Sequence, residues 1–178
     1  NMMAQLKDLG MGSTVFKVSF ALRPEGKVLM PQSVGDDVIE FMISPNPGEP
    51  LKPLSKIASG GELSRLMLAI KSVAAKREGI PSMIFDEIDT GISGKAAQVV
   101  GEKMKAISRD RQVLCVTHLQ QIAALADCHY LVEKAFDGQR THTVLTILDG
   151  ERRVSEIARM LGGEEDSAKA HAREMLKQ

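Results

Sequence analysis

The sequence predicts an α/β fold, a mostly parallel sheet with covering helices that follows a β-rich opening segment. Two observations carry this reading. Over residues 62–117 the pattern alternates helix, strand, helix, strand, at 62–78, 82–86, 94–108 and 112–117, as parallel strands joined by crossover helices require. Ahead of it, Phe16, Val18, Phe20 and Leu22 alternate on one face of residues 14–22, and 38–44 forms a second apolar strand. A chain of 178 residues suits one domain with its own core and is short for two.

In chain order, residues 2–9 are good helix formers closed by Gly10, a residue suited to the left-handed position just past a helix. Asn1 precedes Met2 and Met3, so the start reads as part of something longer. Glycine- and proline-bearing turns lie between and after the two strands. Residues 45–53 hold four prolines and are expected to be an irregular loop. The helix at 62–78 should bury Leu63, Leu66, Met67, Ile70 and Val73, and Gly79 with Pro81 should end it. A short helix at 119–126 precedes two strands, 128–134 and 141–148, joined as a hairpin at Asp137-Gly138. Two amphipathic helices close the chain, with Ile157, Met160 and Leu161 on one stripe and Ala168, Ala172, Met175 and Leu176 on the other.

The 23 Lys and Arg residues equal the 23 Asp and Glu, which excludes a general positive field for gripping nucleic acid. Any DNA contact must be local or made elsewhere. Cys115 and Cys128 sit in apolar sequence and read as reduced, buried thiols. No apolar run approaches the roughly 18 residues of a membrane span, and no signal peptide opens the chain, so a cytoplasmic protein without a membrane partner is expected.

Three local patterns carry chemistry. In Ser59-Gly60-Gly61-Glu62-Leu63-Ser64-Arg65 a glycine pair opens a long helix. Ser59 and Glu62 have capping-box spacing, and the same helix start, with no side chains at Gly60 and Gly61, lets free N–H groups reach a phosphate. A helix terminus contributes about 0.3–1 kcal/mol toward an anion and about 2 at most, whereas even millimolar binding requires about 4. The loop can therefore clamp a phosphate held by something else, but cannot be the primary site. Next, the apolar strand Met83-Ile84-Phe85 ends in Asp86-Glu87, where open α/β sheets place their ligands. Asp86 suits Mg²⁺ as a hard oxygen ligand, and Glu87 suits orienting or deprotonating an attacking water; a solvated turn is the plain alternative. The polar loop Asp89-Thr90-Gly91-Ile92-Ser93-Gly94 follows. Finally, His118 ends the apolar strand 113–117, where its near-neutral titration suits phosphate sensing. His129, His142 and His171 stand in no such arrangement.

The order of these patterns resembles the second half of ABC-type ATPase heads, in which signature, Walker B, D-loop and H-loop follow one another. Glu62 after the glycine pair and Ile88 after Asp86-Glu87 are similar to the SMC-related DNA-repair branch, because transporter heads usually carry glutamine and proline there. The stretches at 43–50, 117–123 and 156–163 resemble the C-terminal region of the RecN family of bacterial double-strand break repair proteins.

The resemblance implies an ABC/SMC-type ATPase head half-domain spanning 1–178. Within it, 1–9 ends a coiled-coil helix, 10–50 is the β-rich segment, 51–148 is the motif core and 149–178 holds the closing helices. It further implies ATP and Mg²⁺, with Glu87 and His118 catalytic and Asp86 on the metal. Ser59, Gly60, Gly61 and Glu62 would contact the nucleotide held by a second, identical head, with Asp89 at that interface. The implied partners are an N-terminal Walker A portion, the second head and DNA, at a nucleoid-associated location. No G-x-x-x-x-G-K-[ST] segment occurs: Gly94-Lys95 is followed by Ala96, and Asp89 stands where the first glycine belongs. This chain by itself is therefore expected to be inactive. An ABC transporter subunit and a non-catalytic dimerisation module are the alternatives.

Overall fold

The structure is a computed structural model that describes residues 2–22, 37–56, 59–74, 80–163 and 165–177. The chain divides into two compact units, Asn1–Glu78 and Gly79–Gln178.

In the first unit, helix α1 (Met2–Asp8) is followed by β1 (Val15–Leu22), β2 (Asp37–Ser44), β3 (Lys52–Pro53) and helix α2 (Gly60–Ala74). Helix α1 ends as its sequence predicts. Gly10 takes φ 77°, Met11 N–H reaches the Leu6 carbonyl at 2.9 Å, and Gly10 N–H reaches that of Lys7 at 3.2 Å, the paired bonds of a Schellman close. Strands β1 and β2 are antiparallel over their full length, from Val15 opposite Ser44 to Leu22 opposite Asp37. The turn expected between them lies outside the described residues.

One expectation is corrected here. The proline-rich loop is not wholly irregular, because Lys52–Pro53 pairs with Met42 and Ile43 as a short edge strand, a position that tolerates proline's missing N–H. The apolar face of β1 is also largely uncovered: Ile43 is buried opposite Phe16, but further along Val18, Phe20, Ile39 and Phe41 are exposed, Phe20 at 68%.

Helix α2 begins at Gly60, two residues earlier than expected, and residues 75–79, including its predicted end, lie outside the described residues. Its buried positions are Gly61, Arg65, Leu66, Leu68 and Ala69, whereas Leu63 and Val73 are exposed. The buried side is thus rotated from the predicted one. Apolar residues run around most of this helix, so its own periodicity leaves the choice open. Packing makes that choice: α1 lies against α2, and Leu6 and Leu9 are fully buried.

The second unit follows the predicted alternation closely. Strands β4 (Ser82–Phe85) and β5 (Gln112–Cys115) pair in parallel, joined by helix α3 (Gly94–Ile107). Helix α4 (Gln120–Ala123) leads to the antiparallel hairpin of β6 (His129–Phe136) and β7 (Thr141–Leu148), and α5 (Gly150–Met160) and α6 (Asp166–Met175) complete the chain. Asp137 organises the hairpin turn by accepting N–H bonds from Gln139 and Arg140 at 2.9 and 2.8 Å, with Gly138 at φ 94°. These amides hold the Asp137 carboxyl below its ordinary range.

Ala123 and Ala124 pack with Val154, Ile157, Ala158 and Ala172, and the predicted stripe residues Met160, Leu161, Ala168, Met175 and Leu176 pack against them. The Arg153 guanidinium donates to the carbonyls of Ala123, Ala124 and Ala126, closing the C-terminal end of α4. Helices α3 and α4 approach closely at Gly101, where an added Cβ would lie 2.7 Å from Leu125 Cδ1. Cys115 is partly buried, but Cys128 is exposed, contrary to expectation, because it falls in the irregular link between α4 and β6 rather than inside the strand. Among the described residues, no helix is long and apolar enough to cross a membrane.

Candidate functional site

Parallel in-register pairing brings the C-terminal ends of β4 and β5 side by side, Phe85 opposite Cys115, and Val116 N–H extends the ladder to the Phe85 carbonyl at 3.0 Å. Loops 86–93 and 116–119 therefore leave the sheet at the same edge, the position where such sheets present ligand-binding groups.

Asp86 and Glu87 are both exposed there, and Asp86 Oδ1 accepts the Glu87 N–H at 2.9 Å. Glu87 has φ 55°, and among the described residues it is the only non-glycine with positive φ. A left-handed non-glycine residue is strained and persists where its surroundings hold it. Here Thr90 N–H bonds to the Glu87 carbonyl at 3.1 Å, and Ile88 is fully buried. Gly91 at φ 75° and Gly94 at φ 52° then redirect the chain into α3.

Asp89 turns inward and is only 3% exposed. Its Oδ2 accepts from Thr117 Oγ1 at 2.6 Å and the His118 backbone N–H at 2.8 Å, and lies 2.9 Å from His118 Nδ1. The His118 side chain is 73% exposed. Thr117 Oγ1 in turn accepts the Leu119 N–H at 3.1 Å. The structure thus joins the predicted Asp89 to the predicted His118. It adds Thr117, whose signal was its place immediately before a strand-terminal histidine.

Burial, followed by the negative charges of Asp89 and Asp86, pushes the Cys115 thiol up to about 12. This edge is accordingly anionic and suits a cation. Among the described residues no group of three or more His, Cys, Asp or Glu could hold a metal ion. Exposed Asp86 at the end of β4 offers a hard oxygen ligand, which fits a divalent cation that arrives with phosphates, as Mg²⁺ commonly does.

The start of α2 belongs to the other unit. The Glu62 N–H approaches Ser59 Oγ at 3.4 Å, and Leu63 N–H bonds to the Ser59 carbonyl at 3.1 Å, so the capping reading holds in part. Gly60 is exposed, Gly61 is buried, and Ser59 and Glu62 are half-buried. Burial lowers the pKa of Arg65, and nearby Glu62 opposes that shift.

His129, which the sequence leaves unassigned, is half-buried, and its Nδ1 is buried with no hydrogen-bond partner among the described residues. Burial and then the charge of Arg153 lower its pKa from 6.5, against the pull of Glu156. Its folded pKa thus lies below the unfolded one, so stability is full above about 6.5 and falls as pH drops from there toward the folded value. Urea unfolding at pH 7.5 and 5.5 should show this loss, and His129→Gln should flatten it.

No protein-family model matches the chain. It is 49% identical over 174 residues to the DNA repair protein RecN of Halalkalibacterium halodurans, covering 97% of this chain and 31% of that protein. The chain spans about a third of the length of the curated relatives it matches. In fold it is similar to the Smc head domain with coiled coil and joint of Pyrococcus yayanosii, at TM-score 0.62 and 21% identity, over 93% of this chain and 28% of that one. A structure from a study of ATP-driven dimerization and DNA-stimulated activation of SMC ATPases matches at TM-score 0.51 and 20% identity, over 93% of this chain and 91% of that one.

Proposed function

We propose that this chain, RecN-like in sequence over nearly its whole length and SMC-head-like in fold, forms the signature and Walker B part of an ATP-hydrolysing head in a DNA double-strand break repair protein. The observation that carries the reading is the shared edge of β4 and β5, where exposed Asp86 and Glu87 stand beside the Asp89–His118 pair.

When bound, Mg-ATP supplies the phosphoryl group and the cation. Asp86 would hold the cation directly or through water. Glu87 would orient the attacking water or take its proton, and His118 would meet the phosphate. At the start of α2, Ser59, the N–H groups of Gly60 and Gly61, and Glu62 close over a nucleotide held by a second head, and the Asp89 loop lies at the same junction.

An N-terminal Walker A portion completes each head. Exposed apolar faces support this partner. In the second unit Ile84, Leu114 and Val116 lie uncovered on one side of the parallel pair, Ile84 at 74%, although parallel sheets are normally buried on both faces. Tyr130, Val132, Phe136, Leu145 and Ile147 are exposed on the hairpin. In the first unit Phe20, Ile39 and Phe41 are exposed likewise. The DNA contact belongs to the complete protein, given this chain's balanced charge.

Titration calorimetry tests the division of labour. This chain alone should bind ATP no more tightly than about millimolar, and together with the N-terminal portion at about micromolar, a gain of about 4 kcal/mol. Micromolar binding by this chain alone would contradict the proposal.

A further inference from the structure

We infer that Arg153 is a positioning residue that steadies the His118 loop by closing α4; the inference rests on the reading above that His118 meets the phosphate. Helix α4 is a single turn, Gln120–Ala123, far short of the roughly 12–15 residues below which an isolated helix is marginal in water. It keeps its shape only where neighbours hold it. Its N–H groups are met inside the segment: those of Ile122 and Ala123 bond to the Leu119 carbonyl at 3.1 Å, that of Ala124 to Gln120 at 2.9 Å and that of Leu125 to Ile122 at 3.1 Å. The carbonyls at the end of the turn need donors from elsewhere. Arg153 Nη2 supplies one from α5, reaching the Ala126 carbonyl at 2.6 Å, that of Ala124 at 3.1 Å and that of Ala123 at 3.4 Å. A charged donor makes these bonds stronger than a neutral one would.

The clamp acts on His118 through Leu119. That residue follows the histidine directly, and its carbonyl accepts the first bonds of α4, so the chain leaving His118 is fixed only as firmly as α4 is. Two neighbours seat the turn. On one side α3 approaches at Gly101, where an added Cβ would lie 3.5 Å from the Gln121 carbonyl oxygen and from Ile122 Cα. On the other, Ala123 and Ala124 pack with Val154, Ile157 and Ala158 of α5. Small apolar side chains fill this contact without fixing its direction, and the Arg153 bonds add the direction. Helix α5 thereby supports the site as well as the core.

The test uses the full-length protein with two variants. Arg153→Met keeps the apolar stem and removes the donor, and Arg153→Lys keeps a cationic donor. Free of nucleotide, Arg153→Met should speed hydrogen exchange over residues 118–126 at least about 10-fold, while α3 stays as protected as in the unmutated protein. At saturating ATP it should lower kcat about 10- to 100-fold and change the KM for ATP less than about twofold, because a misaimed side chain loses rate while the N-terminal portion still holds the nucleotide. Arg153→Lys should lower kcat less than about threefold. Faster exchange with unchanged kcat overturns the inference, since α4 would then not aim His118. Equal loss of protection in α3 and in 118–126 overturns it by making Arg153 a general stabiliser, and a loss in Arg153→Lys as large as in Arg153→Met overturns it by removing the donor from the account. An unmutated protein whose 118–126 amides exchange as fast as a free peptide overturns it even if both variants fail to fold. Failure of the ATPase reading is separate: it would appear as no hydrolysis by the unmutated protein.

Discussion

Glu87→Gln in the full-length protein is expected to lower ATP hydrolysis about 10²- to 10⁴-fold, the usual contribution of a positioned general base, while ATP binding and ATP-dependent pairing of heads persist. Glutamine matches glutamate in size but cannot take a proton from water. Both residues pay the same strain in the left-handed conformation at position 87, so folding stability should hardly change. The bonds that keep this turn, Glu87 N–H to Asp86 Oδ1 and Thr90 N–H to the Glu87 carbonyl, need no Glu87 side chain. Phosphate release at saturating ATP, measured beside a thermal melt, therefore separates chemistry from fold. Hydrolysis at the unmutated rate would remove Glu87 from the mechanism.

Ser59→Arg should abolish ATP-dependent dimerisation in sedimentation velocity while changing ATP affinity by no more than about threefold. The second half of that expectation follows from magnitude. A helix start contributes about 2 kcal/mol at most toward an anion, too little to be the primary hold on ATP. An arginine there places bulk beside exposed Gly60 and a positive charge at the positive end of α2. Loss of the Ser59 cap should cost about 1 kcal/mol of stability, which the thermal melt will register. Loss of ATP binding itself would mean that the start of α2 is a primary nucleotide site.

Much of the candidate site was legible because its residues are announced by local chemistry. Asp86 and Glu87 end an apolar strand, a glycine pair opens α2, and His118 stands just beyond β5. Each is a junction whose type a few neighbours determine. Thr117 and the inward turn of Asp89 were not legible in the same way, since the contacts that define them span 28 and 29 residues. They exist because parallel pairing sets Phe85 opposite Cys115, and no property of either segment alone specifies that register. His129 was missed for a related reason. Its neighbours Arg153 and Glu156 come from α5, and only their approach lowers its pKa.

The sequence by itself determined the order of elements in the second unit, the hairpin, the close of α1 at Gly10 and the stripes of the last two helices. Those features depend on turn residues, caps and periodicity, which act over a few positions. Only the tertiary structure decided which side of α2 is buried, how far the apolar face of β1 is covered, and where Asp89 points. Helix α2 is apolar around most of its circumference, so several faces would satisfy its pattern, and the one buried is the one its neighbours cover. Strand β1 has the alternation of a half-buried strand, yet Phe20 is exposed, because alternation states which residues share a face and not whether anything lies against it. For Asp89 the deciding fact is convergence: two donors from residues 117 and 118, with the His118 ring beside them, make the interior a favourable place for a charge that, read along the chain, belongs in solvent.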